Sequence, residues 1–319
     1  MPFARTLFGF LGLALGGVCA ALALLAQGGR FSPRLDVLTH FAPLYLVGSA
    51  VAGVLILLGA GTLRRQVGLA LALVGALAAS ALMAPEFLRD TGPTAPRGSP
   101  GEIKVIEFNV WWDNPHPERV AEWLKAENPD IVLMAEVRPA VRKLIVDRTG
   151  LEVVGIRTTA HIYSRIPYLG MHRPPLTEKI LTFVNGTYSA GGRPMEVVVA
   201  RAVWPTSRKS PPQGPFLRQV VSMLPRERMV LGGDFNSTPW SFQRQRDDRL
   251  LGLTRRDRAV GTWPTGHSGL WRWPAPFPLL PIDHIYAGPG WATTSVRRGP
   301  RLGSDHYPLI VTLTPVAPR

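Results

Sequence analysis

The chain has 319 residues, 46% of them hydrophobic, with 36 Lys and Arg against 22 Asp and Glu, a formal net charge of +14. Its one cysteine, Cys19, excludes an intramolecular disulfide framework, and the length admits one large domain or two small ones. The apolar residues are concentrated in the first 85 positions, where Ala, Leu, Gly and Val dominate, and the remainder has ordinary globular composition. The chain therefore reads as a membrane part followed by a soluble part.

Three apolar stretches come first. Residues 6–27 and 41–63 hold no charged side chain, and residues 67–85 form a third run. About 20 apolar residues cross a hydrocarbon core, and none of the three shows the polar stripe at period 3.6 that a helix on a soluble core carries. A cleaved signal peptide is the alternative for the first run, with Arg5 ahead of it and small residues after it. Arg64 and Arg65 lie in the tight turn between the second and third runs, which predicts a cytoplasmic turn and N-terminus and an extracytoplasmic soluble part. Arg30 and Arg34 in the first loop make this bias slight.

Residues 89–101, RDTGPTAPRGSPG, read as a linker between an anchor at 1–88 and a domain at 102–319. From Gly101 onward there are 29 Lys and Arg against 19 Asp and Glu, a surplus that attracts polyanions or anionic surfaces and also serves plain solubility. Strand-like runs follow at 103–109, 131–137, 180–184, 195–203, 229–231, 282–287 and 309–313. Helices are expected at 117–127, stopped by Asn128-Pro129, and at 216–224. Asn185-Gly186 and Gly191-Gly192 are read as hairpin turns. Many strands with few helices predict a two-sheet α/β sandwich.

Four segments put polar chemistry at strand ends. IKVIEFNVWWD ends an apolar strand in Asn109, NPDIVLMAEV ends another in Glu136, and MVLGGDFNSTPWS runs through two glycines into Asp234 and Asn236. PIDHIY and GSDHYPLIV supply Asp283, Asp305 and His306. An ionised carboxylate ending a buried strand is costly unless it meets a metal or a donor, and several converging form a hard oxygen site suited to magnesium or manganese.

Taken in order, EFNV, AEV, YSRIP, GGDFN, TWP, PIDHIY and SDHYP resemble the motifs of the endonuclease/exonuclease/phosphatase family, and are similar above all to bacterial members with short apolar N-terminal anchors. The resemblance spans residues 103–313. It implies a four-layer sandwich, two mixed β-sheets flanked by helices, preceded here by transmembrane helices in a bacterial inner membrane. It implies Glu136 as principal metal ligand beside Asn109, with Asp305 completing the site for Mg²⁺ or Mn²⁺. Asp234 would orient or deprotonate the attacking water, Asn236 would hold a phosphate oxygen, and His306, oriented by Asp283, would bind the phosphate. Phosphate ester hydrolysis requires such a cation, a positioned water and donors for developing charge.

One position departs from the pattern. After the strand MEVVVARAVWPTS, Trp204 precedes Pro205 where the family has His-Pro, and an indole donates one N–H but carries no charge. His284 should face away from Asp283 in a structural role, and His161, His172 and His267 read as surface or packing residues, with His116 in a turn. The stretch 269–281, GLWRWPAPFPLLP, is an interfacial loop, a stacking platform or packing around the site, and Trp111 and Trp112 invite the same choice. The expected function is a membrane-anchored metal-dependent phosphoesterase, with DNA or RNA slightly favoured as substrate. The alternatives are a lipid or other membrane-surface phosphodiesterase and a non-catalytic binder of phosphate ligands.

Overall fold

The structure, a computed structural model, describes residues 2–155, 158–172, 181–206, 213–266 and 277–316. It divides into two compact units, one of residues 1–89 with 238–246 and one of residues 90–237 with 247–319.

The first unit holds α1 (Pro2–Gln27), the short α2 (Pro33–Thr39), α3 (Ala42–Gly59) and α4 (Thr62–Leu88). Three of these helices are long and apolar enough to cross a membrane. They meet through small residues, as helices do where lipid competes for apolar contact. A Cβ added at Gly9 would come within 3.0 Å of the Gly59 carbonyl oxygen, and Gly12 faces Ala52 and Ile56. The large side chains point outward instead, and Phe10, Leu25, Val54 and Leu77 are all more than half exposed. Between α1 and α3 the carboxylate of Asp36 accepts the backbone N–H of Phe242 (2.8 Å) and Gln243 (2.9 Å). It thereby caps the first turn of a helix, Phe242–Leu250, that a carboxylate suits by charge and hydrogen bonding.

The second unit is a sandwich of two six-stranded sheets. Its strands are β1 (Ile103–Asn109), β2 (Ile131–Ala135), β3 (Glu152–Val154), β4 (His161–Ser164), β5 (Tyr168–Gly170), β6 (Thr182–Ala190), β7 (Arg193–Arg201), β8 (Val230–Asp234), β9 (Thr254–Arg255), β10 (Asp283–Ala287), β11 (Trp291–Arg298) and β12 (Leu309–Pro315). Its helices are α5 (Pro117–Glu127), α6 (Pro139–Thr149) and α7 (Gln213–Ser222), and α8 (Phe242–Leu250) begins in the first unit and ends in the second. The first sheet runs β11-β12-β1-β2-β4-β3 and the second β5-β6-β7-β8-β10-β9. Both are mixed: β1–β2 and β7–β8 are parallel and their neighbours antiparallel.

Alternation along the strands builds the layers. Val105, Ile131, Leu133, Ile162, Val197, Val199, Ile285 and Val311 fill the space between the sheets. Ile106, Phe108, Val132 and Met134 face the other way, against Val120, Leu124 and Ile145 of α5 and α6. Val198, Ala200 and Leu231 do the same against Phe216, Leu217 and Val220 of α7. This is the expected sandwich of two mixed sheets flanked by helices.

Several expectations change in detail. Asn185-Gly186 is not a turn: it lies mid-strand in β6, where buried Asn185 donates to Glu196 (2.9 Å) and to the His172 carbonyl (2.8 Å). Gly186 is glycine because a Cβ there would sit 3.0 Å from the Tyr188 ring. Gly191-Gly192, both at positive φ, do form the β6–β7 turn. Ile180, His267 and residues 269–276 of the aromatic stretch lie outside the described residues. Within residues 89–101, Thr94 bridges Thr293 of β11, and the Thr293 backbone N–H donates to the Pro93 carbonyl (2.8 Å), so this segment lies pinned along the first sheet.

Candidate active site

Topology gathers the polar residues at one pole of the sandwich. Parallel β1 and β2 end together at Asn109 and Ala135, with Glu136 next at φ 57°. In the second sheet Asp234 at the end of β8 pairs in register with Arg201 at the end of β7 and with Asp283 at the start of β10.

Asn109 ties the two sheets together. Its amide nitrogen donates to Glu136 Oε1 (3.1 Å) and Asp234 Oδ2 (3.0 Å), while its oxygen accepts the Trp111 N–H (2.9 Å). Glu136 also accepts the Trp112 N–H at Oε2 (3.2 Å) and an ion pair from Arg201. Burial alone would raise the Glu136 carboxyl, but Arg201 and these donors outweigh it and hold its pKa below the usual value.

Asp234 is fully enclosed and receives the Asn236 backbone N–H at Oδ1 (2.9 Å). Burial first, and the neighbouring Asp283 charge after it, push its pKa up to about 7 against the pull of His306 and Arg201. The Asn236 side chain bonds the Ala202 carbonyl (2.8 Å) and Asp234 Oδ2 (3.1 Å), so both amide hydrogens organise the loop rather than point into open space.

His306 Nδ1 meets Asp283 Oδ2 at 2.8 Å, which leaves Nε2 for other work. Burial disfavours the imidazolium, yet Asp283, Asp234 and Asp305 overcome that and raise its pKa to about 10. Its backbone N–H donates to Ser304 Oγ (3.0 Å), which itself donates to the Asn109 carbonyl (2.7 Å). Asp305 accepts the Trp263 indole N–H (3.2 Å), and burial raises its pKa. The metal-ligating atoms of Asp234, Asp283 and His306 all lie within 4.8 Å of one another.

Sequence reading singled out Trp204 here but not Arg201, Glu107 or Asp257. Arg201 is the cation that meets Glu136, in the very strand whose following histidine is missing. Trp204, 37% exposed, stands edge-on to Trp263 at 5.6 Å between ring centres. Glu107 is fully buried, and its pKa is driven up by burial and then by Asp283, Asp234 and Asp257, with a side-chain hydrogen bond to Asp283 adding to the rise. On the far side of β10, His284 bonds Asp257 Oδ2 (2.8 Å) and the Ser237 carbonyl (3.0 Å), the structural role expected of it. The other expected histidines are structural too. His161 is buried, His172 bonds Glu196 (3.0 Å), and His116 precedes the first turn of α5. The alternation in EFN was a signal for Glu107, whereas Arg201 and Asp257 reveal themselves only through partners far along the chain.

The sequence profile of the endonuclease/exonuclease/phosphatase family matches residues 106–306. Among solved structures, D. rerio TDP2 complexed with single strand DNA product is 16% identical with a TM-score of 0.53, and the match covers 67% of this chain and 99% of that one. An endonuclease/exonuclease/phosphatase from Bacteroides vulgatus is 17% identical with a TM-score of 0.53, covering 67% and 99%. One from Beutenbergia cavernae is 20% identical with a TM-score of 0.50, covering 67% and 72%. No curated protein sequence matches the chain.

Proposed function

The chain belongs to the endonuclease/exonuclease/phosphatase family, and from that premise we propose that it is a membrane-anchored, divalent-metal-dependent phosphoesterase acting on phosphodiester or phosphomonoester bonds, with nucleic acid as the slightly favoured substrate. The observation that carries this reading is the convergence of Asp234, Asp283 and His306 at the pole where Asn109 and Glu136 also end their strands.

The donor set fits a hard divalent ion. Glu136 and Asp305 offer oxygen ligands, Asn109 would offer its Oδ1 by giving up the Trp111 N–H, and Glu136 already draws a positive partner in Arg201. Three acidic side chains, Asp283, Asp234 and Asp305, crowd the single imidazole of His306 there, an acidic surplus that suits a cation. Mg²⁺ or Mn²⁺ held there would draw charge from the phosphoryl oxygens and acidify water. Asp234, with a pKa near neutrality, takes the proton of the attacking water. His306, charged and fixed at Nδ1 by Asp283, donates from Nε2 to a phosphate oxygen as negative charge develops. Asn236 reaches a phosphate oxygen by exchanging one of its two present bonds.

The anchor is residues 1–88, joined by 89–101 to the catalytic domain at 102–319. The loop between α1 and α3 caps a segment of the soluble part through Asp36. This supports a three-span topology in which that loop and the catalytic domain share the extracytoplasmic side of a bacterial inner membrane. Nucleic acid is favoured by the positive surplus of the soluble part and by the D. rerio protein of the same fold, described with single strand DNA product. The three apolar helices favour a second reading, a lipid phosphodiester.

The test is hydrolysis of a generic phosphodiester by the purified chain with Mg²⁺ or Mn²⁺, with Asp234→Ala and His306→Ala both abolishing turnover. Undiminished turnover in both variants would refute the site assignment. Steeply salt-sensitive DNA binding marks the nuclease reading, turnover that needs liposomes marks the lipid reading, and tight ligand binding without product marks a binder.

A further inference from the structure

A cavity of about 540 Å³ opens at the end of the second sheet away from Asp234. Arg193 starts β7, Arg228 stands two residues before β8, and Arg256 follows β9; all three line the cavity with Asp90 and Glu227. At about 3.3 Å per residue, Arg228 and Asp234 are on the order of 20 Å apart along the strand, so this is not an extension of the active site.

Two features set the cavity apart from a solvated charge cluster. Arg228 and Arg256 are only 7% and 3% exposed. Among the described residues neither has a carboxylate within ion-pair distance. Arg228 donates to the Ala190 carbonyl (3.1 and 3.2 Å) and lies 4.8 Å over the Trp291 ring. Arg256 donates to the carbonyls of Gly288 (2.9 Å), Ala287 and Thr91. The Nε of each is buried without a partner. A guanidinium held out of water without a direct ion pair is costly, and burial pushes Arg256 down to about 10 although the more distant Asp90 carboxylate pulls the other way.

We propose that this cavity is an oxyanion site that takes a single phosphate group, clamped between Arg193, Arg228 and Arg256. Guanidinium forks match phosphate oxygens in pairs, and the volume lies within the usual range for small-ligand pockets. Three arginines against Asp90 and Glu227 leave one net positive charge, which suits a compact anion rather than a polyanion. The phosphate can belong to a lipid headgroup or be free in solution. Asp90 follows Leu88, the last residue of α4, by two positions, which favours the headgroup.

Calorimetric titration of the full chain with inorganic phosphate, in nonionic detergent without divalent ions, tests this. One binding site is expected, weakened at least tenfold by Arg193→Gln and unchanged in His306→Ala. Arg193 is exposed and, among the described residues, makes no side-chain hydrogen bond or ion pair, so its variant keeps the fold, which a melting curve verifies. Absence of binding, indifference to Arg193→Gln, or loss in His306→Ala would each overturn the proposal. Repeating the titration in phosphatidylcholine nanodiscs with and without phosphatidylglycerol separates the sources. Competition by the anionic lipid in the parent chain but not in Arg193→Gln assigns a headgroup; equal affinities in both discs assign free phosphate.

Discussion

Two carboxylate–imidazole pairs meet on β10, one residue apart and on opposite faces: Asp283 with His306, and His284 with Asp257, each at 2.8 Å. Their surroundings differ. Asp257 also accepts the Ile285 N–H (3.0 Å) and faces Arg255 (3.4 Å), while the far nitrogen of His284 meets the Ser237 carbonyl. Burial opposes ionising Asp257, but His284 and Arg255 overcome it and hold the carboxyl well below its usual range. Around Asp283 the groups are acidic instead: Asp234 and Asp305 share its imidazole, and buried Glu107, driven toward its protonated form, shares a hydrogen bond with it. A network whose charges pair off fixes structure, and one that crowds carboxyls around a single imidazole and shifts their titration is where chemistry is expected.

The same substitution on both faces separates the roles. Asp283→Asn should lower kcat/KM by roughly 10³-fold, the scale of a lost acid–base or electrostatic contribution. It should cost little stability, because Asp234 and Asp305 still face the His306 imidazolium once one charge leaves the crowd of carboxylates. Steady-state hydrolysis beside a melting curve measures both. Asp257→Asn should do the reverse, destabilising by about 3 kcal/mol through a buried His284 stripped of its partner and an Arg255 left with Asp248 alone, as read from denaturant unfolding. If the two variants lose stability equally, the contrast between the faces fails.

A third buried imidazole sharpens the comparison. His161 on β4 meets no carboxylate, and burial with nearby Arg142 lowers its pKa to about 4. The unfolded chain then binds more protons than the folded one between about pH 6.5 and pH 4. Stability is complete above that window and declines as pH falls through it, by on the order of 1–2 kcal/mol after allowance for partial hydration. His161→Phe should flatten that slope in pH-dependent unfolding.

How much of this could be read from residues alone depends on how local each signal is. Helix α5 is bracketed by Pro117 and by Asn128 in the left-handed region before Pro129, and the sequence reading placed it at those bounds. Asn109, Glu136, Asp234 and Asp283 were legible because a polar residue ends an apolar strand. Helix α6 was missed because Arg142, Lys143, Asp147 and Arg148 mask its narrow buried face of Val141 and Ile145. Asn185-Gly186 misled because a mid-strand polar residue satisfied by Glu196 across the ladder looks, without that partner, like a turn. Arg201 and Asp257 were invisible for the same reason at longer range, their partners lying 65 and 27 residues away.

The smallest expected effect tests whether the active face depends on exact placement. Ser304 Oγ donates to the Asn109 carbonyl at the end of β1 and accepts the His306 N–H, joining the first sheet to the loop that carries the imidazole. Ser304→Ala removes both bonds and strands a buried carbonyl and N–H, at about 1–2 kcal/mol. The Asp283 contact still anchors Nδ1, so His306 is loosened rather than lost. Turnover should fall about tenfold with KM nearly unchanged, because a mispositioned donor costs more in the transition state than in binding. Equal losses in kcat and affinity would mean instead that Ser304 shapes the substrate cleft, and the active face would then be held by Asp283 alone.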